Sequence, residues 1–170
     1  ILQFKENSLY IINVAQNVEF LEDTHKFKGV SQPSAVCKTD YGIAWVNKYG
    51  CFFYDGRNVH NLLEKKGMQK IKDHGTDSWE TFSAQNPMIG YLPKKRQLLI
   101  VDDNTSAGNG AILIYDMVTQ SWVRGGAASL VSDTSTNFIT DVNGNLALAS
   151  DSTTATLHKW DDDSATSTGM

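Results

Sequence analysis

Tyr115-Asp116-Met117-Val118-Thr119-Gln120-Ser121-Trp122 is the stretch on which the fold turns. An apolar, β-branched run precedes it, Ala111-Ile112-Leu113-Ile114, and Val123 follows it. The pattern predicts two antiparallel strands joined by a short polar turn. An aspartate at a strand end accepts backbone N–H bonds from the residues just beyond it, which fixes the turn. Thr119 is placed to cap the same turn. Trp122 opens the next strand and offers a large flat ring to a neighbouring sheet.

Working outward, short apolar runs rich in β-branched and aromatic residues recur along the chain. Strands are expected at 8–14, 18–21, 42–47, 50–54, 88–92, 97–101, 111–115, 121–124, 137–141, 146–150 and 156–160. Each has ordinary strand length, and turn residues separate them. Asn143-Gly144 is a strong hairpin signal, because both residues tolerate positive φ. Pro87 and Pro93 flank one strand, where a missing N–H costs least. One stretch, 61–72, carries Leu62, Leu63 and Met68 on roughly one side and reads as one or two helical turns or a structured loop. Gly67 at its centre limits any helix, at a cost of about 1 kcal/mol relative to alanine.

A repeat underlies the strands. Tyr10, Tyr54, Tyr115 and Trp160 each sit in a similar apolar strand, and the last three precede an aspartate. The steps between them are 44, 61 and 45 residues. Two of these match the ~40–50 residue period of β-propeller blades. The long step contains the stretch at 61–72. The expected fold is all-β and propeller-like, with three to four antiparallel sheet units, and a two-sheet β-sandwich is the alternative. Residues 1–170 read as one domain or part of a larger propeller, with 163–170 as a polar linker. The lack of an initiating methionine suggests a segment cut from something longer.

Composition excludes several function classes. The net charge is −4, and the lysines and arginines do not pool into one face, so no nucleic-acid partner is expected. No apolar run approaches the ~20 residues that span a bilayer, so no membrane association is expected either. The two cysteines, Cys37 and Cys51, read as buried free thiols, with a disulfide between adjacent segments as the alternative, and no Cys/His cluster suggests zinc.

No nucleophile elbow, zinc-protease helix, P-loop or dinucleotide fingerprint occurs in the sequence. His25, His60, His74 and His158 lack metal-ligand spacing. Glu19, Glu22 and Asp23 share one segment, whereas a glycosidase sets two carboxylates across a cleft. The oxygen-rich loop beginning Asp102, Asp103 and Asn104 is the weak candidate for a cation. It fails the calcium-loop test, because Ala107 falls at the glycine position and Leu113 at the bidentate glutamate. That loop and Asp161-Asp162-Asp163 read as solvated turns. Trp79, among polar neighbours, is the ring expected at a binding surface, with glycan as the candidate ligand. The chain is expected to be neither an enzyme nor a cofactor binder. A carbohydrate-binding or carbohydrate-active propeller is the alternative.

The motif at Tyr115, Asp116, Thr119 and Trp122 resembles the kelch repeat, Tyr-Asp-x-x-Thr-x-x-Trp, with the same Asp-to-Trp spacing. The Gly-Gly pair of kelch repeats is absent, Leu98-Leu99-Ile100-Val101 standing in its place, and Asn61 stands where a second tryptophan would follow Asp55. From about Ser34 to Asp162 the chain also resembles β-rich virion structural proteins of marine tailed phages. The segments 42–56 and 88–103 and the kelch-like unit carry that likeness. The resemblance implies a non-catalytic tail- or nozzle-type component of a virion. Its partners would be other virion proteins or further segments of the same polypeptide.

Overall fold

The computed structural model describes residues 1–15, 17–64, 79–82, 87–101, 110–128, 138–150 and 156–160. Among them the chain is all-β apart from a 3-10 turn at Pro33–Ala35 and a single helical turn, α1, at Trp79–Phe82. Four antiparallel sheets follow one another along the chain. The first holds β1 (Leu2–Phe4), β2 (Ser8–Asn13) and β3 (Phe20–Lys26). The second holds β4 (Val36–Thr39), β5 (Gly42–Asn47), β6 (Gly50–Tyr54) and β7 (Val59–Asn61). The third holds β8 (Met88–Leu92), β9 (Gln97–Val101), β10 (Gly110–Asp116) and β11 (Ser121–Ala128). The fourth holds β12 (Ile139–Thr140), β13 (Leu146–Ser150) and β14 (Thr156–Lys159). In every sheet, strands adjacent in sequence are adjacent in space.

The sheets stack in chain order, and strand alternation explains how. A strand turns successive side chains to opposite faces. On β5, Trp45, beside Phe52 of the same sheet, faces Leu9 and Phe4 of the first sheet, while Ala44 and Val46 face the third. On β9, Leu98 and Ile100 face the second sheet, while Leu99 and Val101 face the fourth. The two middle sheets are therefore covered on both sides. That is why β8 and β9 read as continuous apolar runs instead of alternating ones. All five residues of β8 are buried. Full burial of each such large side chain contributes roughly 1.5–3 kcal/mol.

The first strands of successive sheets also meet, β4 touching β8 and β8 touching β12. Gly90 lies where β8 meets the fourth sheet, against Phe138 and Leu146. A Cβ there would stand 2.8 Å from the Phe138 ring and 2.9 Å from Leu146 Cδ2, so the close approach of β8 to the fourth sheet requires glycine.

One expectation changes, and another falls mostly outside the described residues. Asn61 ends β7, residues 62 and 63 form a turn and Glu64 takes a 3-10 conformation; the rest of the stretch 61–72, expected as helical turns or a structured loop, lies outside the described residues. Trp79, expected at the surface, is only 4% exposed. It lies on α1, with its ring against Phe82 and Trp122 and its Nε1–H donating to Asn47 O at 2.9 Å. Polar sequence neighbours do not keep a ring in water when the helical turn that carries it packs between two sheets.

Candidate functional site

A polar hollow opens where β4, β8 and β12 run past one another. It encloses about 470 Å³ and is bordered by Lys38, Asp40, Gly90, Tyr91, Phe138 and Thr140. The turn between β4 and β5 positions its acid. Thr39 is buried, with its Oγ1 donating to Gly42 O and accepting from Tyr41 N, both at 3.1 Å. That double bond holds the turn so that Asp40 stands at the rim. Tyr91, from the buried run of β8, donates its hydroxyl to Asp40 Oδ2 at 3.0 Å. Burial, then the bond to Asp40 and its charge, push the Tyr91 phenol up to about 12. At neutral pH it is a fixed donor that orients the carboxylate, not a base.

Cys37 and Cys51 are both free thiols. Cys37 is on β4 and Cys51 on β6, with β5 between them. Two strand spacings separate their backbones by roughly 9–10 Å, beyond disulfide reach. Cys37 borders the hollow, but burial pushes its thiol up to about 12. Burial raises Cys51 as well, with the nearby Cys37 adding to it. Neither is a thiolate near pH 7, so the sulfur beside the hollow is a packing group and not a nucleophile. With an ammonium, an oriented carboxylate and a phenol at its rim, the hollow has the chemistry of a polar binding pocket. None of Lys38, Asp40 and Tyr91 stands out in the sequence, because Tyr91 sits in an apolar run and Asp40 in an ordinary turn.

The motif residues form one corner. Tyr115 pairs with Trp122 across β10 and β11, their rings 4.9 Å apart. Asp116 Oδ1 accepts from the N–H groups of Val118 and Thr119, each at 2.8 Å, and these bonds hold its carboxyl below the usual range. Thr119 Oγ1 meets Ser121 Oγ at 2.6 Å. Trp122 Nε1–H donates to Leu62 O at 3.2 Å, tying the third sheet to the end of the second. The equivalent turn of the second sheet uses the same device without the tryptophan. Asp55 Oδ1 accepts from Arg57 N at 2.8 Å and Asn58 N at 2.7 Å, and His60 Nε2 lies 2.8 Å from Oδ2.

Between these two turns lies a smaller groove, about 240 Å³, bordered by Phe53, Asp55, His60, Asn61, Tyr115 and Gln120. Among the described residues that border it, Tyr115 carries the one hydroxyl, and there is no serine, threonine or cysteine. The Asp55–His60 pair locks the turn at one edge of this groove.

Asp23 lies 3.1 Å from His25, and Glu22 and Asp23 share β3, so these carboxylates do not face one another across a cleft. Asp102, Asp103, Asn104, His74 and 161–170 lie outside the described residues. Among the described residues, no three His, Cys, Asp or Glu side chains converge as a metal site, and no helix is long and apolar enough to cross a membrane. Comparison with protein-family models, curated proteins and solved structures finds no match to this chain.

Proposed function

We propose that the chain is a non-catalytic binding scaffold, an arc of a β-propeller that serves as a structural part of a larger particle. The observation that carries the propeller reading is the series of first strands, β4 against β8 and β8 against β12. Innermost strands of successive blades meet in this way around a common axis. Sheets covered on both faces favour the same reading over a sandwich, whose two sheets each keep one outer face in water. The polar hollow then lies at the axial end of the strands, where propellers present ligand-facing residues. The particle role rests on the resemblance of 34–162 to tailed-phage virion proteins.

Two measurements test this. An experimentally determined structure of the chain should show four sheets about one axis; two packed layers would refute the propeller. Peptide mass spectrometry of purified particles should recover this chain in stoichiometric amount. Its absence from particles that infect normally would remove the structural role.

A further inference from the structure

We infer that Phe27, Tyr49 and Lys48 form a binding platform for an anionic polysaccharide, a place that the sequence had assigned to Trp79. Phe27 is 56% exposed and Tyr49 is 36% exposed. Their rings meet edge to face at 5.1 Å and 64°, forming an open corner. Lys48 Nζ lies 5.1 Å from the centre of the Tyr49 ring. Lys26 and Lys28 flank Phe27 in sequence. Asp23 is the acid nearest Phe27 in sequence, and Glu6 precedes Asn7, whose carbonyl accepts from Phe27 N.

The backbone holds these rings in water against two ordinary preferences. Large apolar rings are normally buried. Phe27 also has φ of 64°, in the left-handed region that a bulky residue avoids. Such strain persists only where the surroundings impose it, and it clusters at binding sites. Here one side chain imposes it. Asn47 Nδ2 donates to Phe27 O at 3.0 Å and Gly29 O at 2.7 Å, while Asn47 Oδ1 accepts from Tyr49 N at 2.8 Å. Phe27 N donates to Asn7 O at 2.7 Å. A single amide therefore clamps both rings in register, which lowers the ordering cost of binding.

The chemistry names the ligand class. A pyranose ring presents a face of weakly positive C–H groups that stacks on an aromatic face. Lys48 beside the Tyr49 ring adds attraction for a carboxylate or sulfate on the sugar, while Lys28 Nζ lies 5.7 Å from the Phe52 ring. A neutral sugar uses the rings alone, and an acidic peptide uses the lysines alone. The inference does not depend on the particle role.

Titration calorimetry of the whole chain with oligouronate, neutral dextran oligomers and polyglutamate tests it. Oligouronate should bind most tightly. Phe27→Asn removes the ring while suiting a left-handed backbone, so it keeps the fold and should weaken oligouronate binding about ten-fold. Tyr49→Ala should do the same. Lys48→Gln should weaken oligouronate and flatten its salt dependence. No oligouronate binding, unchanged affinity in Phe27→Asn, or equal binding of polyglutamate would each overturn the inference.

Discussion

Trp79 lies between Ser78 and Glu80 in sequence, yet its ring is buried and its Nε1–H is satisfied by Asn47 O. Periodicity in a single stretch cannot show this, because the contacts come from Trp122, more than forty residues on. Trp79→Ala should therefore destabilise by about 3–5 kcal/mol, read as a fall in the urea midpoint, by leaving a cavity between sheets. Stability within about 0.5 kcal/mol of the parent would contradict the buried placement. Phe27 and Tyr49 were invisible for the opposite reason. Their exposure is set by the Asn47 clamp and a positive φ, neither of which is written in local sequence pattern. Asp116 was legible, since an acid at a strand end has few other uses.

At the scale of elements, the strands buried on both faces were the most legible. The runs at 42–47, 50–54, 88–92 and 97–101 match the observed strands in their bounds, as does 146–150 in the fourth sheet. The strands missing from the sequence reading, β1, β4 and β7, are short edges. An edge strand is defined by the partner it pairs with more than by its own composition. Gly90 is the tightest point of β8, and Gly90→Ala should cost about 1–3 kcal/mol by forcing Phe138 and Leu146 apart. Thermal unfolding checks this, and an unchanged melting temperature would show that the gap is looser than it looks.

The turns make an acid prediction. Backbone N–H groups hold Asp55, Asp116 and Asp141 below the ordinary carboxylate range, with Asn58, Thr119 and Asn145 the leading donors; His60 adds to the effect on Asp55. A carboxyl whose folded pKa is depressed stabilises the fold above its unfolded value, about 4, and loses that contribution as pH falls through the folded value. The Asp→Asn triple variant keeps an acceptor oxygen but cannot titrate. Its unfolding midpoint should fall less steeply than the parent's between about pH 4 and 2, and parallel acid limbs would show that the turns carry no linkage.

For the whole molecule, the two end sheets differ from the middle ones. Among the described residues, the second and third sheets are covered on both faces, whereas the first and fourth are covered on one. On the outer side of the first, Tyr10 and Ile12 border a shallow hollow with Leu21, which is 56% exposed. On the fourth, Ile139 pairs with Ala147 and Leu157 with Ala149, opposite in face to buried Leu148; Ile139 and Leu157 are 59% and 69% exposed. β1 also makes no contact with β4 comparable to that of β4 with β8. The first sheet thus meets its neighbour through β1 and β2 against β5 and β6, as Phe4 on Trp45 shows. Stacked sheets bury such faces against further sheets, and in solution a second copy is the nearest supply. The isolated chain should therefore associate head to tail, the first sheet of one copy on the fourth of another, because the two faces differ. Sedimentation velocity over a hundred-fold concentration range should show growing species. Leu21→Lys and Leu157→Lys, each placing a charge on an exposed face without touching the core, should each return the chain to monomer. A parent chain that stays monomeric throughout would mean that the outer faces are finished surfaces, and would count against the arc.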